Sequence, residues 1–340
     1  IVWLAFHGIG SVLKKRYLRG LDSSGVPGLV MSMMFFIILV PLLSIFGLIT
    51  RGILPFVLFV PAIIGLMDLK TRFSKGSITT DLRLLIAIPS ILLMLVLFLC
   101  DAFHASIPHG MVDPLITYAV QPDRWLDSGG MYFLSETRFS LYPMTSEMLS
   151  VWPASLSSGR LDQLMILQVF QMSLLVCSAI VAARIARLRK NGYIAVLLVC
   201  LSSPILVKWG AWAKPDMTVL FFISVTLAEL FRIYVSRESR LSLFIWFLFG
   251  ISFTVKYTAI LVILSVIPFM TYFCWNKCKR RREIIFGMVL MISIPIIYAA
   301  RSFIITGEPF YRFHIPGFRA NEAWMLESPE LLTSIRSHGS

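Results

Sequence analysis

The residues able to do chemistry are concentrated in one stretch. Between positions 101 and 163 the chain opens into mixed polar, aromatic and acidic sequence, DAFHASIPHGMVDPLITYAVQPDRWLDSGGMYFLSETRFSLYPMTSEMLSVWPASLSSGRLDQ. Asp101, Asp113, Asp123, Asp127, Glu136, Glu147 and Asp162 lie there, seven of the chain's 18 acidic residues. A carboxylate held on a long, structured loop can act as a general base on an acceptor hydroxyl. Asp113 is the first candidate, because it follows shortly after the apolar run that ends at Cys100. It also precedes Pro114, and Leu115, Tyr118 and Ala119 would share one helical face, so an N-cap with Pro at N1 is the competing reading. Asp101 and Asp123 are the reserve candidates.

The cations that could work with such an acid sit at the ends of apolar runs. Lys256 and Tyr257 form a tight turn between two of them. Lys214 and Asp216 close the segment KWGAWAKPD, and Arg301 opens RSFIITGEPFYRFHIP. A lysine in such a place often only anchors a helix at the interface. It is also at the depth of a lipid phosphate, whose leaving charge Lys or Arg would offset. His104 and His109 flank Pro108 near Asp101 and Asp113. Spacing fixes no third ligand, so solvated loop histidines are the simpler reading. No cofactor is firmly expected, and a divalent metal stays open. Glu229 lies inside an apolar run, with Arg232 three residues on as a helical partner.

These residues need a membrane scaffold. Hydrophobic residues make up 57% of the chain, charged residues 14%, and the mean hydropathy is +0.81. A soluble domain carries about 25% charged residues. We read nine apolar runs as spans, at 29–50, 52–67, 84–100, 164–183, 193–207, 217–235, 241–255, 258–275 and 284–300. Lys and Arg fall in alternate loops: 14–19, 70–83, 184–190, 232–240 and 277–282 hold 20 of the 31. The positive-inside rule puts those loops in the cytoplasm and 101–163 outside. Lys208–Asp216, the Lys256–Tyr257 turn and 301–340 then share the outer face. The net charge of +13 is thus a mark of topology and not of nucleic-acid binding.

Other classes are set aside. There is no GxGxxG, Walker A, HExxH or GxSxG pattern. The cysteines at 100, 177, 200, 274 and 278 form no paired framework in the large loop. The first residues, IVWLAFHGIGSVL, are apolar without a charged leader or cleavage site, so a signal peptide is not indicated and a fragment is expected.

Four segments together resemble the membrane glycosyltransferases of the GT-C fold, closest to the protein-mannosyltransferase and aminoarabinose-transferase group. DPLITYAVQPDRWLDSGG with FSLYPMTSEML is similar to that group's first outer loop. WAKPDMTVLFF is similar to its loop-to-span transition, GISFTVKYTAIL to a G-x-x-x-x-x-K-Y-T turn, and RSFIITGEPFYRF to its R-N-x-x-x-T-G-N-P-F-Y exit. Here Pro114 follows the acid, Ser302 replaces Asn, and Glu308-Pro309 replaces Asn-Pro. The resemblance covers about residues 84–316. It implies transfer of a sugar from a polyprenyl-phosphate carrier, with Asp113 as base and Lys256 and Arg301 on the donor phosphate; Lys214, by its place on the outer face, could join them there.

The expected fold is an all-α transmembrane bundle of about nine spans with a large outward loop containing short helices. Residues 1–83 would be a basic N-terminal segment with two extra spans, 84–316 the core, and 317–340 an outward tail. The expected function is glycosyl transfer to a glycan, lipid or protein acceptor at the outer face of a bacterial inner membrane, with membrane lipids as partners and no nucleic acid. Asp101, Asp123, Asp216, Tyr257 and His109 are further site candidates. The rival is a lipid or solute transporter or flippase, which would show repeats, broken helices and polar residues at mid-membrane.

Overall fold

The computed structural model of the chain describes residues 1–17, 26–74, 120–131, 144–157, 160–185, 203, 206, 215–236, 243–273, 281–307 and 309. Among these residues the structure is helical, and extended backbone pairs only at an isolated antiparallel bridge between Ile49 and Gly129. The helices are α1 (Val2–Tyr17), α2 (Val26–Ile45), α3 (Leu54–Ser74), α4 (Val120–Ser128) and α5 (Thr145–Ala154). They continue with α6 (Arg160–Ile185), α7 (Asp216–Ser236), α8 (Leu243–Val255), α9 (Ala259–Phe273) and α10 (Arg281–Thr306).

Four helices are long and apolar enough to cross a membrane: α2 over Gly28–Ile45, α3 over Leu54–Thr71, α6 over Met165–Ala182 and α10 over Ile284–Ile304. They mark the chain as an integral membrane protein. The run at 84–100, and that at 193–207 apart from residues 203 and 206, lie outside the described residues. The other seven runs are helical over most of their described residues, but α8 has 13 residues and α9 has 15. At 1.5 Å per residue each rises roughly 20 Å, less than the ~30 Å hydrocarbon core. The span count of nine is therefore not reached among the described helices. Two boundaries also move. Arg301, expected to open an outward segment, lies within α10, and Asp216 is the first residue of α7.

Sequence chemistry explains the stops and the close crossings. α2 ends in a Schellman turn: Gly47 takes φ +68°, its N–H reaches the Ser44 carbonyl at 3.0 Å, and Leu48 N–H reaches Leu43 at 3.0 Å. Gly8 on α1 and Gly65 on α3 let two backbones touch. A Cβ on Gly8 would sit 1.9 Å from the Pro61 carbonyl oxygen, and one on Gly65 would sit 2.1 Å from that of Leu4. Pro41, Pro61, Pro268 and Pro295 all fall inside helices, as apolar helix bundles allow.

The core is built around α5, a 10-residue helix buried at every position. A helix buried on all sides must be apolar or have its polar groups satisfied. α5 packs on α2, α3, α4, α6 and α8. Its Trp152 ring meets Phe36 of α2 edge-on at 4.8 Å, and the indole N–H donates to the Phe36 carbonyl at 3.2 Å. Phe36 in turn meets Phe6 of α1 at 5.1 Å. These contacts tie the N-terminal helices to the segment drawn from the acidic stretch, so α1 and α2 are packed into the same body as α5.

Candidate functional site

A buried helix leaves its last carbonyls without partners unless something reaches them. At the C-terminal end of α5 the N–H groups of Ser155, Leu156 and Ser157 reach the carbonyls of Val151, Pro153 and Ala154, and Arg51, from the turn between α2 and α3, adds a charged donor. Its Nη1 donates to the carbonyls of Ala154 (3.2 Å) and Ser157 (3.4 Å) and to Ser157 Oγ (2.9 Å). Its Nη2 pairs with Asp123 Oδ1 of α4 and reaches Gln163 Oε1 at 3.5 Å, while Nε lies 3.8 Å from Asp127 Oδ1. The planar guanidinium thus joins the α2–α3 turn, α4, the end of α5 and the start of α6. The Ile49–Gly129 bridge seals the same corner; Gly129 takes φ +77°, and a Cβ there would lie 2.7 Å from the Gly47 carbonyl oxygen.

The N-terminal end of α5 is built differently. Its N-cap residue is Met144, and no side chain caps it. Thr145 donates to Thr254 Oγ1 of α8 at 2.9 Å and lies 3.1 Å from the Tyr298 hydroxyl of α10. Ser146 meets Thr218 of α7 at 3.5 Å, and Thr218 donates to Gln171 of α6 at 3.2 Å. Tyr298 also approaches Met148 sulfur at 3.7 Å. Two residues beyond Thr254, Lys256 Nζ donates to Asp216 Oδ1 at 2.7 Å. Arg301 lies one helical turn past Tyr298 and interacts electrostatically with Tyr298 and Tyr257. Starts and ends of α5, α7, α8 and α10 therefore meet in one polar cluster.

Glu147 lies within that cluster, in the first turn of α5. It is 8% exposed, and its Oε2 is fully shielded without a hydrogen-bond partner. Burial pushes its carboxyl from the ordinary 4.5 up to about 7, and a hydrogen bond from its own backbone N–H pulls weakly the other way. An unsatisfied buried polar atom of this kind costs about 1–3 kcal/mol. In a native fold it points to a strain or a function.

The structure brings together Lys256, Asp216, Tyr257 and Arg301. It separates Asp123 from them: that reserve acid is an ion-pair partner of Arg51 at the other end of α5, a structural role set by the buried helix terminus. Asp113, Asp101, His109 and Lys214 lie outside the described residues. Lys256 is not a free cation, because Asp216 already holds it. Among the described residues no three His, Cys, Asp or Glu side chains gather closely enough to hold a metal. Reading from sequence missed Glu147, Tyr298 and Arg51. Glu147 carries a faint signal, an acid in a first helical turn with no Ser or Thr three residues before it to close a capping box. Tyr298 carries another, since three residues before Arg301 places both on one helical face.

The fold defines an all-helical integral membrane protein with a polar cluster at one end of its helices. The chain belongs to the family described as Domain of unknown function (DUF8201), whose model matches residues 149–331. That segment holds Asp216, Lys256, Tyr257, Tyr298 and Arg301. No curated protein matches the chain, and no solved structure matches it.

Proposed function

We propose that the protein is a GT-C-like membrane glycosyltransferase, moving a sugar from a polyprenyl-phosphate donor to an acceptor hydroxyl at the outer face of a bacterial inner membrane. The supporting observation is the convergence of Lys256, Asp216, Arg301, Tyr257 and Tyr298 at the ends of apolar helices. A lipid phosphate sits at the depth where such helices end. A lysine and an arginine together can offset the charge that grows on it as the sugar departs.

In this reading the acceptor oxygen bonds to the anomeric carbon. The bond from that carbon to the phosphate oxygen breaks, and its electron pair stays on the phosphate. The acceptor proton passes to a carboxylate, assigned to Asp113 from the likeness of its loop to the glycosyltransferase group. Lys256 would exchange Asp216 for the phosphate, so Asp216 holds the lysine extended until donor arrives. The full chain in vesicles, given polyprenyl-phosphate mannose or aminoarabinose with native membrane acceptors, should release polyprenyl phosphate and label an acceptor. Asp113→Asn should lower that rate about 100-fold or more. Movement of the intact donor between leaflets with no release would overturn the reading in favour of a flippase.

A further inference from the structure

Glu147 takes no step in that chemistry, yet among the described residues it is the carboxylate with a shielded, unpaired oxygen. Its charged neighbours can be taken element by element. α10 brings Tyr298, one turn from Arg301. α8 leads into Lys256 and Tyr257, and α7 starts with Asp216, which is paired with Lys256. α4 and the turn before α3 bring Asp123, Arg124, Asp127 and Arg51, with the Arg51 cluster at the opposite end of α5. Of the charged residues of α3, Asp68 and Lys70 lie about 20 Å along the helix from Leu54, where the turn carrying Arg51 enters it, and the Arg72 side chain lies outside the described ones. α2 carries no charged residue. The side chains of Arg160, Asp162 and Arg184 on α6 lie outside the described ones. Nothing in this set donates a hydrogen bond to Glu147 Oε2.

We infer that Glu147 and the anion site at Lys256 and Arg301 form one proton-linked unit: binding of a lipid phosphate there is accompanied by proton uptake on the Glu147 carboxylate. This rests on the reading of that cluster as a lipid-phosphate site. A second negative charge arriving at the same end of a buried helix raises the free energy of an ionised Glu147, which has no donor to offset it. The proton comes from the buffer and bonds to the carboxylate; no bond to the lipid forms or breaks. Linkage is reciprocal, so the same coupling makes phosphate binding tighten as pH falls through neutrality.

The test uses the full chain in nanodiscs and undecaprenyl phosphate as the probe. Calorimetry at pH 7 in two buffers of different ionisation enthalpy reads protons taken up per lipid bound. The variants carry the lipid phosphate's own titration without a carboxylate beside it, so the difference from wild type reads the protons that Glu147 adds to the linked unit. Wild type should take up about half a proton more than Glu147→Gln, because the carboxyl is half ionised at that pH. Glu147→Met, which removes the carboxyl but keeps an apolar chain of similar length, should match Glu147→Gln. At pH 5.5 the difference should vanish, the carboxyl being protonated with or without lipid. Binding with equal proton uptake in all three proteins overturns this inference alone. Absence of binding to wild type overturns it together with the reading it rests on.

Discussion

The two ends of α5 solve the same problem in opposite ways. A short helix buried on every side must find partners for its terminal backbone groups. At the C-terminal end the N–H groups of Ser155, Leu156 and Ser157 turn back onto the last carbonyls, a guanidinium adds a charged donor, and its charge is matched by Asp123 and Asp127. At the N-terminal end no side chain caps the helix, hydroxyls link it to three neighbouring helices, and an acid is left with an unpaired oxygen. The first end is closed and holds segments together. The second has charges close by: Lys256 pairs with Asp216, and Arg301 lies beside Tyr298 and Tyr257. Satisfied polar clusters fix a fold, whereas partly satisfied ones mark where something else is to bind.

If the C-terminal end is a staple, breaking it should cause the largest loss of stability. Arg51→Ala takes the guanidinium away from Asp123, 11% exposed, and removes the charged donor to the Ala154 and Ser157 carbonyls. The expected loss is about 3–4 kcal/mol, read as a lower unfolding temperature of the purified protein. An unchanged midpoint would mean that the corner holds without its guanidinium.

The N-terminal end should respond with the opposite sign. The Glu147 carboxyl is raised from 4.5 to about 7 in the fold, so the folded state binds the proton more tightly than the unfolded chain. Above pH 7 both states are ionised, and burying the charge destabilises the fold by up to about 3 kcal/mol. That penalty shrinks as pH falls through 7 and is gone below about 4.5, where both states are protonated. Glu147→Gln should therefore unfold at a higher temperature than wild type at pH 8 and at the same temperature at pH 4. A variant less stable than wild type at pH 8 would show that the carboxylate is satisfied after all, and the contrast between the two ends would collapse.

How much of this was legible in the sequence depends on range. The apolar runs announced the helices, since a run of Leu, Ile, Val and Phe bounded by charge has few other folds in a membrane. Run lengths were a weaker guide: Gly47 stops α2 five residues before the apolar pattern ends, and α3 continues through Asp68 and Lys70. Alternating loop charge assigned Lys256, Asp216 and Arg301 to one side; in the structure Lys256 pairs with Asp216, and Arg301 interacts with Tyr257. The Arg51–Asp123 pair was not legible. Its partners are 72 residues apart, and nothing local says that a guanidinium in a two-helix turn will cap a third helix. The burial of Glu147 was hidden for the same reason. Its neighbours in sequence, Thr145, Ser146 and Met148, read as a polar loop, and only packing of α5 among five helices takes them out of water.

The smallest effect on stability is expected at the Lys256–Asp216 pair, and there the contrast is sharpest. Both pairs are close in space, but the Lys256 and Asp216 side chains are 35% and 19% exposed, and the lysine has no backbone carbonyl to serve. A double-mutant cycle of Lys256→Met and Asp216→Asn should give a coupling below about 1 kcal/mol in unfolding free energy. Binding of undecaprenyl phosphate should divide the two variants. Lys256→Met removes the cation and should weaken binding about tenfold, roughly one charge-assisted contact. Asp216→Asn releases the lysine from its competitor and should strengthen binding several-fold. The two variants thus move affinity in opposite directions while hardly moving stability. A coupling as large as the loss expected for Arg51→Ala, with both variants binding alike, would make Lys256–Asp216 a second staple. Both ends of α5 would then be structural, and the functional cluster would have to be sought elsewhere in the chain.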